Sequence, residues 1–268
     1  MHPLNKYIVH LGWAGFGDRL QALCHCILIA QKRNRILYTN WMDEHFQDSF
    51  WAYFNLIGIP YTKEFPAGDT YPKVFEHLRA PASSWIYDLK DYTLDQSNAT
   101  VLVFSSKGTR TFGWGTLTNH LTLTEQTQEE VMALVKGLEN LIGDLPLIHL
   151  RGTDRKWEKE AVYALAEKHG KAAITSDDNR AIEAYKEVAD VVIINSGRED
   201  NQPIHKYNPA RSRHIKMLTD LYLLHKYGKA CLNDQSVFWR ASQNINVSKW
   251  FRSVPAPEHY DGCEIIKE

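Results

Sequence analysis

Two rhythms of apolar residues alternate along the chain. Five-residue β-prone runs at Tyr7 to Leu11, Arg35 to Thr39, Val101 to Ser105, Pro146 to Leu150, Lys171 to Thr175, Asp190 to Ile194 and Lys229 to Asn233 read as buried strands. Between them, apolar residues recur at helical spacing through "RLQALCHCILIAQKR" (19–33), "TQEEVMALVKGLENLI" (127–142), "EKEAVYALAEKHG" (158–170), "NRAIEAYKEVA" (179–189) and "HIKMLTDLYLLHKYG" (214–228). The second of these has a threonine available as N-cap and acids in its first turn, and should end near Gly143. Ser236 to Gln243 supplies the first turns of another helix.

Strands that alternate with helices imply βαβ units and parallel sheets. The regular second half predicts a doubly wound α/β lobe, in which ligands collect at the carboxyl ends of the strands. Gly143, Asp144 and Pro146 break the pattern. They place a boundary there, with an α/β lobe over 1–143 facing another over 144–268 across a cleft. From Trp41 to Ser97 the rhythm loosens into aromatic-rich text in which helices and loops are expected to alternate. No repeat of fixed period occurs.

Composition adds few constraints. The 268 residues are 44% hydrophobic and 24% charged, which suits a packed globular protein. A formal net charge of -1 provides no field for general nucleic-acid binding, so recognition of a polyanion would have to be local. Four cysteines are too few for a disulfide framework, and they argue against zinc and for a reducing compartment. With no signal peptide and no run of about 18 apolar residues, the chain reads as cytoplasmic, with peripheral membrane contact left open.

Candidate chemistry lies at the strand ends. In "LPLIHLRGTDRKWEKEA" (145–161), period-two alternation puts His149 and Arg151 on one side of a strand terminus. An arginine there can form paired bonds to a phosphate, Gly152 allows close backbone approach, and Asp154 can orient the arginine or cap the next helix. The same residues also suit a structural ion pair around a core histidine. Asp177 and Asp178 in "ITSDDNRAI" fit a general base or metal ligands, and equally an N-cap. The loop "GWAGFGDRL" (12–20) offers Gly12, Gly15 and Gly17 before a helix N-terminus that could face an anion. Its spacing is not that of the dinucleotide fingerprint, which argues against a nicotinamide enzyme. Asp220 is an acid in an apolar helical stretch that could accept from a base such as guanine, and Ser236 sits at a strand-to-helix junction.

In their order, "HLRGTDR", "ITSDDNRAIEAY" and "HIKMLTDLYLLHKYGKACLNDQSVFWRAS" resemble the donor-binding half of fucosyltransferases that use GDP-fucose. The relevant group is that of the α1,6- and nodulation fucosyltransferases, with protein O- and α1,2-fucosyltransferases more distant. "GFGDRLQALCHCILIAQ" is similar to that superfamily's N-terminal loop and helix. The resemblance implies a GT-B-like fold of two Rossmann-like lobes, with the acceptor on the N-terminal side and the nucleotide sugar on the C-terminal side. It implies inverting transfer without a metal or other cofactor. Arg151 would bind the donor pyrophosphate, bordered by His149 and Gly152, and Ser236 would bond a phosphate. Asp220 would read the guanine edge, Asp177 and Asp178 would shape the nucleotide pocket, and Gly15, Gly17 and Arg19 would border it. Glu160 is the proton acceptor the resemblance suggests, with Glu158 and Asp18 as alternatives. Close eukaryotic relatives carry a second arginine where this chain has Gly152, so charge neutralisation would need help from Arg19 or Arg155.

The expected acceptor is a glycan or glycolipid. Trp41, Trp51, Tyr53, Trp85 and Tyr87 could stack on sugar rings or pack internally. Another nucleotide-sugar donor, a modified base as acceptor, or a non-catalytic nucleotide-sugar-binding protein are the competing expectations.

Overall fold

A computed structural model describes residues 7–12, 15–41, 48–64, 101–105, 113–152, 156–195 and 211–252. The chain divides into two compact units. The first takes in residues up to Trp41 and Asn55–Thr122, and the second Met42–Phe54 and Leu123–Arg252.

In the first unit, strand β1 (Tyr7–Leu11) leads through helix α1 (Phe16–Arg33) to β2 (Ile36–Asn40), which pairs parallel to β1. The helix stops where Asn34 enters the left-handed region at φ 48, its N–H bonding back to the Ala30 and Gln31 carbonyls. Ile8, Val9, Leu20, Leu23, Ile27 and Leu37 are fully buried, so the apolar faces read from the sequence form this core. Short strands β3 (Phe54–Leu56) and β4 (Tyr61–Thr62) come next, then β5 (Val101–Ser105), helix α2 (Trp114–His120) and β6 (Leu121–Leu123). Within the described part of the aromatic-rich span, one 3-10 turn and two short strands replace the expected helices. Among the described residues the order β4-β2-β1-β5 forms one sheet and β3 pairs with β6 in another.

The second unit contains α3 (Glu125–Ile142), β7 (Leu147–Leu150), α4 (Lys159–His169), β8 (Ala172–Ser176), α5 (Asn179–Lys186), β9 (Val191–Asn195), α6 (Arg211–Tyr227), β10 (Gly228–Cys231) and α7 (Val237–Asn244). Thr124 caps α3 by accepting from the Thr127 N–H, and Gly143 at φ 52 ends it. The boundary lies at Thr122/Leu123, earlier than the position after Gly143 that the Gly-Asp-Pro break suggests. The reason is that α3 packs on α6, held by Arg211 Nε to Glu130 at 3.1 Å and Lys226 Nζ to Glu139 at 2.8 Å. Helix α5 stops at Lys186, three residues short of the sequence reading. There Glu187 and Val188 bond to Ala184 and Tyr185, tightening the last turn.

All described pairings in this sheet are parallel, in the order β10-β7-β8-β9. Chain order runs from β7 outward to β9 and then returns to the opposite side of β7. The strand order thus reverses between β7 and β10, and doubly wound sheets bind ligands at the carboxyl edge of such a switch point. Ile148 and Leu150 face the apolar core beneath α4 and α5, with Val162, Ala166, Ile182 and Tyr185.

Candidate functional site

The alternation that buries Ile148 and Leu150 turns His149 to the other face. There it lies 5.8 Å from the Phe238 ring of α7, while its Nδ1 is 3.1 Å from Thr175 Oγ1. Burial pushes its pKa down to about 4, with Asp177 pulling up and Arg151 down, so the imidazole is neutral near pH 7. Its Nε2 is buried with no hydrogen-bond partner among the described residues. An unmet buried polar atom is costly, and at a sheet's binding edge it marks a place for a ligand group.

Arg151 stands just past β7. Its Nη1 donates to Asp177 Oδ2, and Asp177 Oδ1 accepts from the Gly152 N–H at 2.8 Å. A carboxylate that is only 8% exposed thus holds a guanidinium that is 23% exposed at the carboxyl end of β7. Asp177 orients the arginine instead of standing open as a base or metal ligand.

The next carboxylate is equally committed. Asp178, 1% exposed, caps α5 through the Arg180 N–H at 3.0 Å. It also accepts from Arg180 Nε at 3.0 Å, Arg180 Nη2 at 2.7 Å and Trp157 Nε1 at 3.1 Å. Burial works to raise its pKa, but the bonds from Arg180 and Trp157 outweigh it and hold the carboxyl below its usual range. This assembly requires residue 152 to lack a side chain. A Cβ at residue 152 would lie 2.7 Å from both Asp178 Oδ2 and Trp157 Nε1, so the space is filled by protein. After β10, Ser236, 4% exposed, caps α7 by accepting from the Trp239 N–H at 3.4 Å. Its hydroxyl proton can still be donated to a ligand oxygen.

No family model matches the sequence, and no curated protein does either. Solved structures do match. Fucosyltransferase NodZ from Bradyrhizobium superposes with a TM-score of 0.62 at 16% identity, covering 90% of this chain and 94% of that one. NodZ α1,6-fucosyltransferase soaked with GDP-fucose gives 0.60 at 15% identity, covering 90% and 93%. The form co-crystallised with GDP gives 0.60 at 16%, with the same coverage. The chain has the NodZ fold.

Within this NodZ fold, the remaining predicted residues fall in different places. Gly15 is the N-cap position of α1, with Gly17 and Asp18 in its first turn, at the edge where the chain leaves β1. In that sheet too, later strands lie on opposite sides of the first. Gly12, however, is kept small by packing, since a Cβ there would lie 2.4 Å from the Trp41 ring. Arg19 is fully buried, and its Nη1 donates to the Gly12 and Trp41 carbonyls at 2.8 Å each. It braces the strand ends of the first unit and is not an exposed helper for a phosphate. Nearby His10 bonds Thr39 Oγ1 at 2.9 Å, and burial, reinforced by Arg19, lowers its pKa to about 3.

Glu158 and Glu160 are both exposed at the start of α4, and Asp220 is half-buried in α6. Asp154 and Arg155 lie outside the described residues, as do Trp85 and Tyr87. Trp41 and Tyr53, 1% and 2% exposed, pack internally and are not open sugar platforms. Trp157 and Arg180, which hold the buried Asp178, are not singled out by the sequence pattern. A lone tryptophan inside "RKWEKEA" was the available signal. Among the described residues no group of three or more His, Cys, Asp or Glu side chains is placed to hold a metal ion. No helix among them is long and apolar enough to cross a membrane.

Proposed function

We propose that this protein is a GT-B glycosyltransferase that moves fucose from GDP-fucose to a hydroxyl of a glycan acceptor. The observation that carries the reading is Arg151, held by Asp177 at the carboxyl end of β7 within a fold similar to NodZ, structures of which were obtained with GDP-fucose and with GDP. In this reading Arg151 takes the pyrophosphate, the Ser236 hydroxyl donates to a phosphate oxygen, and neutral His149 offers Nε2 to the nucleotide. Asp220, half-buried midway along α6, accepts from the guanine N–H groups.

The acceptor oxygen attacks the anomeric carbon from the face opposite the leaving group, giving inversion. The bond to the β-phosphate oxygen breaks with its electron pair going to GDP. Arginine and helix N-terminal dipoles stabilise that charge without requiring a divalent cation. The acceptor proton passes to a glutamate at the start of α4, Glu160 or Glu158.

The test is calorimetric titration with GDP, UDP and CMP, followed by turnover of the corresponding nucleotide sugars. GDP binding that disappears in Arg151→Ala, with turnover of GDP-fucose, is expected. Preference for UDP or CMP, or unchanged GDP affinity in Arg151→Ala, refutes the assignment of donor and site.

A further inference from the structure

Two neighbours hold the His149 ring, which is 5% exposed. Its Nδ1 is 3.1 Å from Thr175 Oγ1 on β8, and the Phe238 ring of α7 lies 5.8 Å away, tilted by 47°. Cys231, its register partner on β10, gives its thiol proton to the Asn233 carbonyl and does not compete for the imidazole. The other ring nitrogen, Nε2, is buried without a partner among the described residues.

Which nitrogen carries the proton follows from the hydroxyl. Thr175 is fully buried and stands directly beside His149 in the pairing of β7 with β8. Among the described residues its Oγ1–H meets no acceptor except Nδ1. A hydroxyl both donates and accepts, but a buried donor left unused is costly. With the ring proton on Nδ1, the hydroxyl proton would be stranded. With Thr175 donating to Nδ1, the hydroxyl is satisfied and the one proton of the neutral ring stands on Nε2. The Thr175 main chain is the competing partner for the ring, and it is the smallest influence on the His149 pKa.

The consequence is directional. Arg151 lies two residues further along the chain, close enough for its charge to act on the ring. A ligand whose phosphates rest on Arg151 therefore meets, beside that guanidinium, an uncharged N–H whose direction is already set. It must present a lone pair there. A ligand N–H group in the same place would leave two donors facing each other.

We propose that Thr175 is a positioning residue whose hydroxyl fixes His149 in the tautomer with its proton on Nε2, making the ring a neutral donor to an oxygen of the bound nucleotide. The inference rests on the glycosyl-transfer reading above for the nucleotide, and deepens it by assigning the proton and the residue that places it.

The test is long-range nitrogen–proton NMR of the full chain, isotopically labelled in its histidine rings, with the His149 signals identified by their loss in His149→Gln. In the free chain the protonated nitrogen is expected to be Nε2, recognised by its strong coupling to both carbon-bound ring protons. Thr175→Ser keeps the hydroxyl and should keep this pattern. Thr175→Val, of nearly the same shape, should shift the proton to Nδ1 or mix the two forms. By calorimetric titration, GDP affinity should fall at least threefold in Thr175→Val and match the wild type in Thr175→Ser. Guanosine titrated alongside identifies the oxygen, and either result supports the proposal. A loss shared by guanosine assigns the contact to the nucleoside, and a loss confined to GDP assigns it to a phosphate. A proton on Nδ1 in the wild-type chain, or an unchanged spectrum or GDP affinity in Thr175→Val, overturns the proposal. The spectrum of the free chain needs no ligand. Failure of GDP to bind therefore removes the transfer reading and the nucleotide as partner, while the spectrum still decides the tautomer.

Discussion

A side chain at residue 152 collides with the carboxylate of Asp178, since a Cβ on Gly152 would lie 2.7 Å from Asp178 Oδ2. The groups there are tied down, because Asp178 also holds the Trp157 indole and the Arg180 guanidinium. Gly152→Ala is therefore expected to destabilise by about 1–3 kcal/mol through overpacking, and Gly152→Arg by more. Urea denaturation of the two variants measures this. Wild-type stability in Gly152→Arg would show that the pocket opens to admit a second arginine.

Arg151 depends on Asp177 for its aim. Asp177→Asn keeps an acceptor for the Gly152 N–H but loses the charged partner of the guanidinium. We expect GDP affinity to fall about tenfold, and further in Arg151→Ala, from the loss of charge-assisted bonds of about 1.5–3 kcal/mol. Calorimetric titration with GDP reads both.

The two glutamates at the start of α4 are distinguished by place. Glu158 lines a groove between the segment entering α4 and the first turns of α5, and Glu160 does not. If the acceptor sits in the groove, Glu158→Gln lowers kcat by about 10²- to 10⁴-fold, as for loss of a general base, and Glu160→Gln by much less. The opposite ranking returns the role to Glu160, which the sequence resemblance suggests.

Two buried histidines set a pH dependence. Burial lowers the pKa of His10 to about 3 and of His149 to about 4, against 6.5 when exposed. Between pH 4 and 6.5 the unfolded chain binds protons that the folded chain does not. Stability is therefore full above pH 6.5 and falls as pH drops. From pH 6.5 to 5 each histidine should contribute a loss of about 1–2 kcal/mol. Denaturation midpoints at pH 5, 6 and 7 test this, and in His149→Gln the slope should become shallower.

Tyr53 ties residues 48–54 to α6. Its hydroxyl donates to Asp48 and lies 2.6 Å from His214 Nδ1. Burial, reinforced by Asp48, raises the Tyr53 pKa, so it stays a neutral donor at all ordinary pH values. Tyr53→Phe should cost about 1–3 kcal/mol by removing the hydroxyl that meets both Asp48 and buried His214. Hydrogen exchange should quicken at the Thr124 amide, which bonds to the Tyr53 carbonyl.

The sequence by itself determined the alternation of strands and helices, because the two-residue and 3.6-residue periods are local properties of which residues must be buried. That alternation was enough to place His149 and Arg151 at a strand end and Asp178 at a helix start. Tertiary structure decided what those positions mean. The filled space beside Gly152, the bracing by Arg19, and the union of Trp157, Asp178 and Arg180 are contacts between segments distant in sequence. Strand order decided them, by setting β7 between β10 and β8. The side-chain directions at the sheet edge then followed, and no periodicity records which neighbour a strand will choose.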